Sequence, residues 1–150
     1  MLTLTKIEAA RRQLEVASRL FVSQGDLLAV HTLCGAAEEI LGALCERSGK
    51  VHAFERMRAE AEARFGRQVK PQELSSLVNA SRNALKHGHI PTEDTLQYDP
   101  DHAIGMLFRA LVNYQVLTGA LTAPMEEALS HLRTIVPQLA PSQPEEPSLR

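Results

Sequence analysis

The chain has 150 residues and a mass of 16.5 kDa, of which 44% are hydrophobic and 23% charged, enough apolar material for one domain with a real core and too much for a disordered chain. A formal net charge of −2 argues against a protein that coats nucleic acid by bulk electrostatics, so any such contact has to be local. Cys34 and Cys45 are the two cysteines, eleven positions apart in one apolar segment, which fits neither a disulfide framework nor a paired zinc motif, and both read as reduced core residues. The expectation is a cytoplasmic protein without membrane association, because no apolar run approaches the roughly 20 residues of a span and the start, MLTLTKIEAARRQ, turns charged too soon for a signal peptide.

No segment alternates apolar and polar residues as a strand does, so the fold class is all-α, an up-and-down helical bundle of four to six helices. The first helix starts at Thr5, with Glu8 completing a Thr-x-x-Glu capping box, and runs to just before Gly25 on a stripe of Ile7, Ala10, Leu14, Ala17 and Phe21. Asp26 caps the second, whose broad face of Leu27, Val30, Cys34, Ala37, Leu41 and Leu44 predicts a central, buried helix with small surfaces at Gly35 and Gly42. A third, from about Lys50 to Phe65, carries Val51, Phe54, Met57, Ala61 and Phe65 on one side and alternating Arg and Glu on the other. Pro71 opens a fourth that continues to Gly88 through Leu74, Leu77, Val78, Ser81 and Leu85. A polar loop from Gly88 to Tyr98 follows. A fifth helix restarts at Asp99-Pro100, with Ile104, Leu107, Phe108, Leu111 and Tyr114 inward, and a sixth opens at Pro124 and ends near Val136. These helices form one domain over residues 1–136, while 137–150, with four of the eight prolines, reads as a flexible tail.

Chemistry concentrates where the fourth helix ends, in Ser81-Arg82-Asn83-Ala84-Leu85-Lys86-His87-Gly88-His89. Arg82 and Lys86 stack at i,i+4, as do Asn83 and His87. Arg82 and His87 lie about 140° apart around the helix axis, so only the length of arginine lets the two heads share a site. The carbonyls of a last turn favour a protonated imidazole at His87, a guanidinium offers a planar fork for phosphate oxygens, and Asn83 could orient the ring or a ribose hydroxyl. A base, a cation and a positioning group are the parts of a metal-independent phosphodiester cleavage.

Arg-Asn, three residues and then His, closing a helix in a small all-α domain, resembles the HEPN superfamily. The segment 29–41, small and apolar with internal Glu38 and Glu39, is similar to the family's buried helix. The resemblance implies a homodimer that brings two motifs into one cleft, RNA as the substrate, and metal-independent endoribonuclease activity in toxin or defence systems with a cognate antitoxin or partner protein. On that reading Arg82, Asn83 and His87 are catalytic. Toxin-type members often carry a tyrosine two residues after the motif histidine, where this chain has His89.

Residues 47–89 carry a net charge of +5 against −7 for the remainder, which makes Lys86, His89, Arg64, Arg67 and Lys70 candidate contacts to an RNA backbone. A solvated face with Glu55, Glu60 and Glu62 pairing locally is the plainer reading of the third helix. No cofactor is implied, and His87 and His89 with Asp99, Asp101 or His102 lack zinc-ligand spacing. His31 lies off the main stripe and reads as a hydrogen-bonded histidine, and one of Glu38 and Glu39 is expected beside a basic partner. The competing function is a non-catalytic helical module for dimerisation or protein interaction, in which the motif only finishes a helix.

Overall fold

The computed structural model describes residues 1–86 and 95–136. Among these the chain is all-α, with α1 at Lys6–Val22, α2 at Leu27–Arg47, α3 at Ala53–Phe65, α4 at Pro71–Lys86, α5 at Asp101–Thr118 and α6 at Ala123–Ile135. The expected tail and most of the expected loop lie outside the described residues.

The helix ends follow local chemistry. Thr5 Oγ1 accepts from the Glu8 amide at 3.2 Å, but the Glu8 carboxylate turns outward to Arg11 and Arg12, so only half of the capping box forms. The left-handed residue after α1 is Gln24, at φ 56°, rather than Gly25. Asp26 Oδ1 accepts from the Leu28 and Ala29 amides and caps α2. Pro71 takes the first position of α4, where its missing N–H costs nothing.

Helix α2 is the centre, flanked by α1 and α5, with α6 against α1 and α4 against α2. Leu14, Val30, Cys34, Leu41, Leu107, Leu111, Met125 and Leu132 are fully or almost fully buried between them. Each such side chain contributes about 1.5–3 kcal/mol relative to exposure, which makes this layer the main source of stability. Both cysteines are free and buried, and burial pushes the Cys34 thiol well above its ordinary range.

Two expectations need correction. Helix α2 is long and apolar enough, by length and composition, to cross a membrane: its 21 residues reach a mean hydropathy of 1.4 over the best window, because Gly, Ala and Cys between the leucines extend the apolar run. Within the fold its Val30–Cys45 stripe is packed in the core, while Glu38 and Glu39 meet arginines of α5 and α4. The α3 stripe, on what the sequence already reads as a surface helix, holds only in part, with Phe54, Met57 and Ala61 half-buried. The helix starts at Ala53 instead of Lys50, Val51 stays 57% and Phe65 65% exposed, and Ala53 alone among its residues is buried. Helix α3 docks on α5 by its first turn, so the residues further along leave the core.

Candidate functional site

The end of α4 meets α2 over a glycine. Arg82 lays its side chain across Gly35, where an added Cβ would meet Arg82 Cδ at 3.0 Å and Nε at 3.1 Å. Its Nη2 donates to Glu39 Oε2, and the arginine side chain is left only 12% exposed while the carboxylate is 63% exposed. Bonding a guanidinium to a carboxylate on one nitrogen fixes its plane and aims its remaining N–H groups. Arg82 Nε is buried without a hydrogen-bond partner among the described residues.

Below this pair, Arg109 of α5 is buried, with Nη2 donating to Asn79 Oδ1 at 3.0 Å and Nε facing Glu38 Oε1 at 3.7 Å. Burial lowers its proton affinity, Glu38 opposes that effect, and nearby Arg82 adds to it. Glu38 is itself 13% exposed, so one of the two adjacent glutamates does sit beside a buried basic partner. Asn79 also donates from Nδ2 to Ser75 Oγ at 3.2 Å, which links two turns of α4 to the charge pair.

The third part lies towards the start of α5. His31 is 1% exposed, its Nδ1 is 3.3 Å from the Tyr98 hydroxyl, and that hydroxyl also donates to the Leu27 carbonyl. Burial is the main cause that lowers the His31 pKa to about 4, with His102, Arg109 and Arg82 adding repulsion. His31 is therefore neutral at physiological pH, and its Nε2 is buried without a partner among the described residues. His102, in the first turn of α5, hydrogen-bonds through Nδ1 to Ser81 Oγ. The seam where α2, α4 and α5 meet thus concentrates Arg82, Arg109, His31 and His102 around two carboxylates.

Of the sequence candidates, Arg82 belongs to this seam and Asn83 is exposed on α4, while Asn79, one turn earlier, makes the polar contacts with Ser75 and Arg109. His87 and His89 lie outside the described residues, as does the side chain of Lys86. Arg64, Arg67 and Lys70 are not brought to Arg82, since they precede α4 and its twelve-residue run from Pro71 to Arg82 is about 16 Å long. Arg67 is also engaged, in a pair with Glu73 at 2.7 Å, and Arg58 binds Glu55 and Glu62. Lys50 Nζ donates to the Val116 and Leu117 carbonyls at the end of α5. Local pairing, the plainer expectation, accounts for much of the basic block.

Asn79 and Arg109 carry the site without having been singled out in the sequence, while Gly35 was read there only as a small helix surface, Ser81 as part of the motif run and His102 as a poor zinc candidate. Arg109 alone left a signal: its register between Met106 and Asn113 puts a charge on the inner face of α5. An open groove of about 560 Å³ extends from the seam along α2, lined by Glu38, Glu39 and Glu46 together with His52, Ser75 and Asn79. No group of metal-ligating side chains occurs among the described residues. No family model, curated protein or solved structure matches the chain.

Proposed function

We propose that the chain is a HEPN-like RNA-binding domain that acts as a metal-independent endoribonuclease, in which Arg82 takes a backbone phosphate and His87 exchanges the protons. The observation that carries this reading is the housing of Arg82. An interior helix glycine, which costs about 1 kcal/mol of helix propensity, makes room for its stem, and Glu39 orients its head. A solvated surface arginine needs neither. The groove along α2 is lined by carboxylates, which repel an anionic strand, so the proposed contact with a polynucleotide is confined to the end of α4 at Arg82 and Asn83. Asn83, exposed there, is free to meet a ribose hydroxyl.

The test is cleavage of a labelled single-stranded RNA by the purified full chain in EDTA. Cleavage is expected to persist without metal and to vanish in His87→Ala, and binding is expected to weaken at least tenfold in Arg82→Ala. Unchanged cleavage in His87→Ala removes the assignment.

A specific observation favours a second reading, a non-catalytic interaction module. The Arg82 to Glu39 pair also ties α4 to α2, which is what a purely structural arginine would do. If Arg82→Ala lowers the unfolding temperature while RNA neither binds nor breaks, that reading replaces the first.

A further inference from the structure

We infer that the groove along α2 is a binding site separate from the Arg82 end of α4, and that it takes a lysine-bearing stretch of extended polypeptide, with a main-chain carbonyl on Asn113 and the lysine ammonium on Glu46. The inference goes beyond the ribonuclease reading and does not rest on it. Its starting point is a buried amide with half of its bonding unmet. Asn113 of α5 is 0% exposed, and its Oδ1 accepts from the Ala53 amide, which identifies Nδ2 as the donor end of the side chain. That Nδ2 is buried without a hydrogen-bond partner among the described residues. A buried donor left without an acceptor is costly, so an acceptor brought by a ligand is favoured.

Gly42 gives access to this donor. Gly42 and Ala43 belong to the lining of the groove, and a Cβ on Gly42 would meet Asn113 Nδ2 at 3.8 Å, the nearest atom facing that gap. A carbonyl oxygen entering the gap is within reach of Nδ2, and a methyl group there would stand in its way. On the same groove His52 is 8% exposed, with Nε2 3.3 Å from Glu46 Oε1 and Nδ1 buried without a partner among the described residues. When Nε2 donates to the carboxylate, Nδ1 is the acceptor of the ring. An unmet donor and an unmet acceptor are the complement of a peptide group, which offers both a carbonyl and an N–H. Charge then selects the side chain. Glu38 and Glu39 are engaged by Arg109 and Arg82, whereas Glu46, 68% exposed, faces the imidazole of His52. Glu46 lies four positions beyond Gly42, about 6 Å along the helix, a distance that the four-carbon stem of a lysine covers from its own main chain. Phe54, half-buried and stacked on His52, offers that stem an apolar wall. A simple amine would satisfy Glu46 and leave Asn113 unmet.

The experiment follows the amide signals of the isotope-labelled full chain by NMR as a capped pentapeptide, with lysine at its centre and glycine or alanine elsewhere, is added. The side-chain amide of Asn113 and the backbone amides of Gly42 and Ala43 are expected to shift and to saturate below about 5 mM peptide. Norleucine in place of the lysine, or Glu46→Gln with the lysine peptide, is expected to weaken binding at least about fivefold. In Gly42→Ala the added Cβ stands at ordinary contact distance and helix propensity rises, so the variant is expected to unfold no lower than wild type while binding the peptide at least about tenfold more weakly. Lost binding at undiminished stability separates a blocked site from a damaged fold. Wild-type affinity in Gly42→Ala overturns the assignment, as does butylamine binding as tightly as the peptide, or the absence of any shift at Asn113 up to about 5 mM peptide. None of these outcomes depends on RNA cleavage, so this assignment and the ribonuclease reading fail separately.

Discussion

A methyl group at position 35 would press on the arginine stem above it, with Cδ at 3.0 Å and Nε at 3.1 Å. Alanine gains about 1 kcal/mol of helix propensity over glycine, and the long side chain above can swing aside. Gly35→Ala is therefore expected to leave the unfolding temperature within a few degrees of wild type while moving Arg82 off its seat, and RNA affinity in a fluorescence titration is expected to fall about fivefold or more. A second residue-scale consequence concerns acid. His31 has a folded-state pKa of about 4 against an ordinary value of 6.5, so below 6.5 the unfolded chain binds a proton that the native state refuses. Stability from this residue is undiminished above about pH 7 and is lost as pH falls from 6.5 towards 4, by up to ~3 kcal/mol. Urea midpoints measured from pH 7.5 to 4 should show this slope, and His31→Phe should remove its share of it.

Between elements, the manner in which α4 is attached differs from the rest. Helices α1, α2 and α5 meet through apolar side chains, whereas α4, which buries Leu74, is joined to α2 and α5 also by Arg82 with Glu39, Asn79 with Arg109, and Ser81 with His102. Polar attachments of this kind yield less net free energy per contact than buried apolar area, so α4 is expected to exchange its amide hydrogens sooner than α2 in native-state exchange. Within the seam, Glu38→Gln strips the buried Arg109 of its counter-charge and is expected to cost about 3 kcal/mol, measured by chemical denaturation. Combining it with Arg109→Met removes the stranded charge, so the double variant should lose less than the sum of the single ones. The helices themselves were legible from periodicity and caps, as in the Asp26 cap, the Pro71 start and the Val30 to Leu41 stripe. The seam was not, because pairs such as His31 with Tyr98 or Arg82 with Glu39 join residues 67 and 43 positions apart, and no local rule reports which distant helix a polar side chain will face.

At the scale of the molecule, charge limits the RNA contact proposed above. The net charge is −2, and Arg58, Arg67 and Lys50 of the basic block are occupied by Glu55 and Glu62, by Glu73 and by the end of α5. Of the rest, Arg64 and Lys70 precede α4 and lie away from Arg82, which leaves few to share one strand with it, so the logarithm of the binding constant for single-stranded RNA should fall with log salt at a slope of about −2 to −3 between 50 and 200 mM. A slope near −7 would mean that many more phosphates are neutralised than this distribution allows.

One contact in the body of the molecule bears on the order in which its parts assemble. The residue before α3, His52, offers no side-chain cap, and the amide of Ala53 instead finds Asn113 Oδ1 at 2.6 Å, sixty positions later on α5. Initiation of α3 thereby depends on a long loop having already closed, and a peptide of residues 50–70 should be unstructured in circular dichroism. Asn113→Ala, which strands the buried Ala53 amide, should destabilise by about 2 kcal/mol, and mostly by hastening unfolding. The third helix is then a late guest of the fifth, joining a nucleus that it does not help to build.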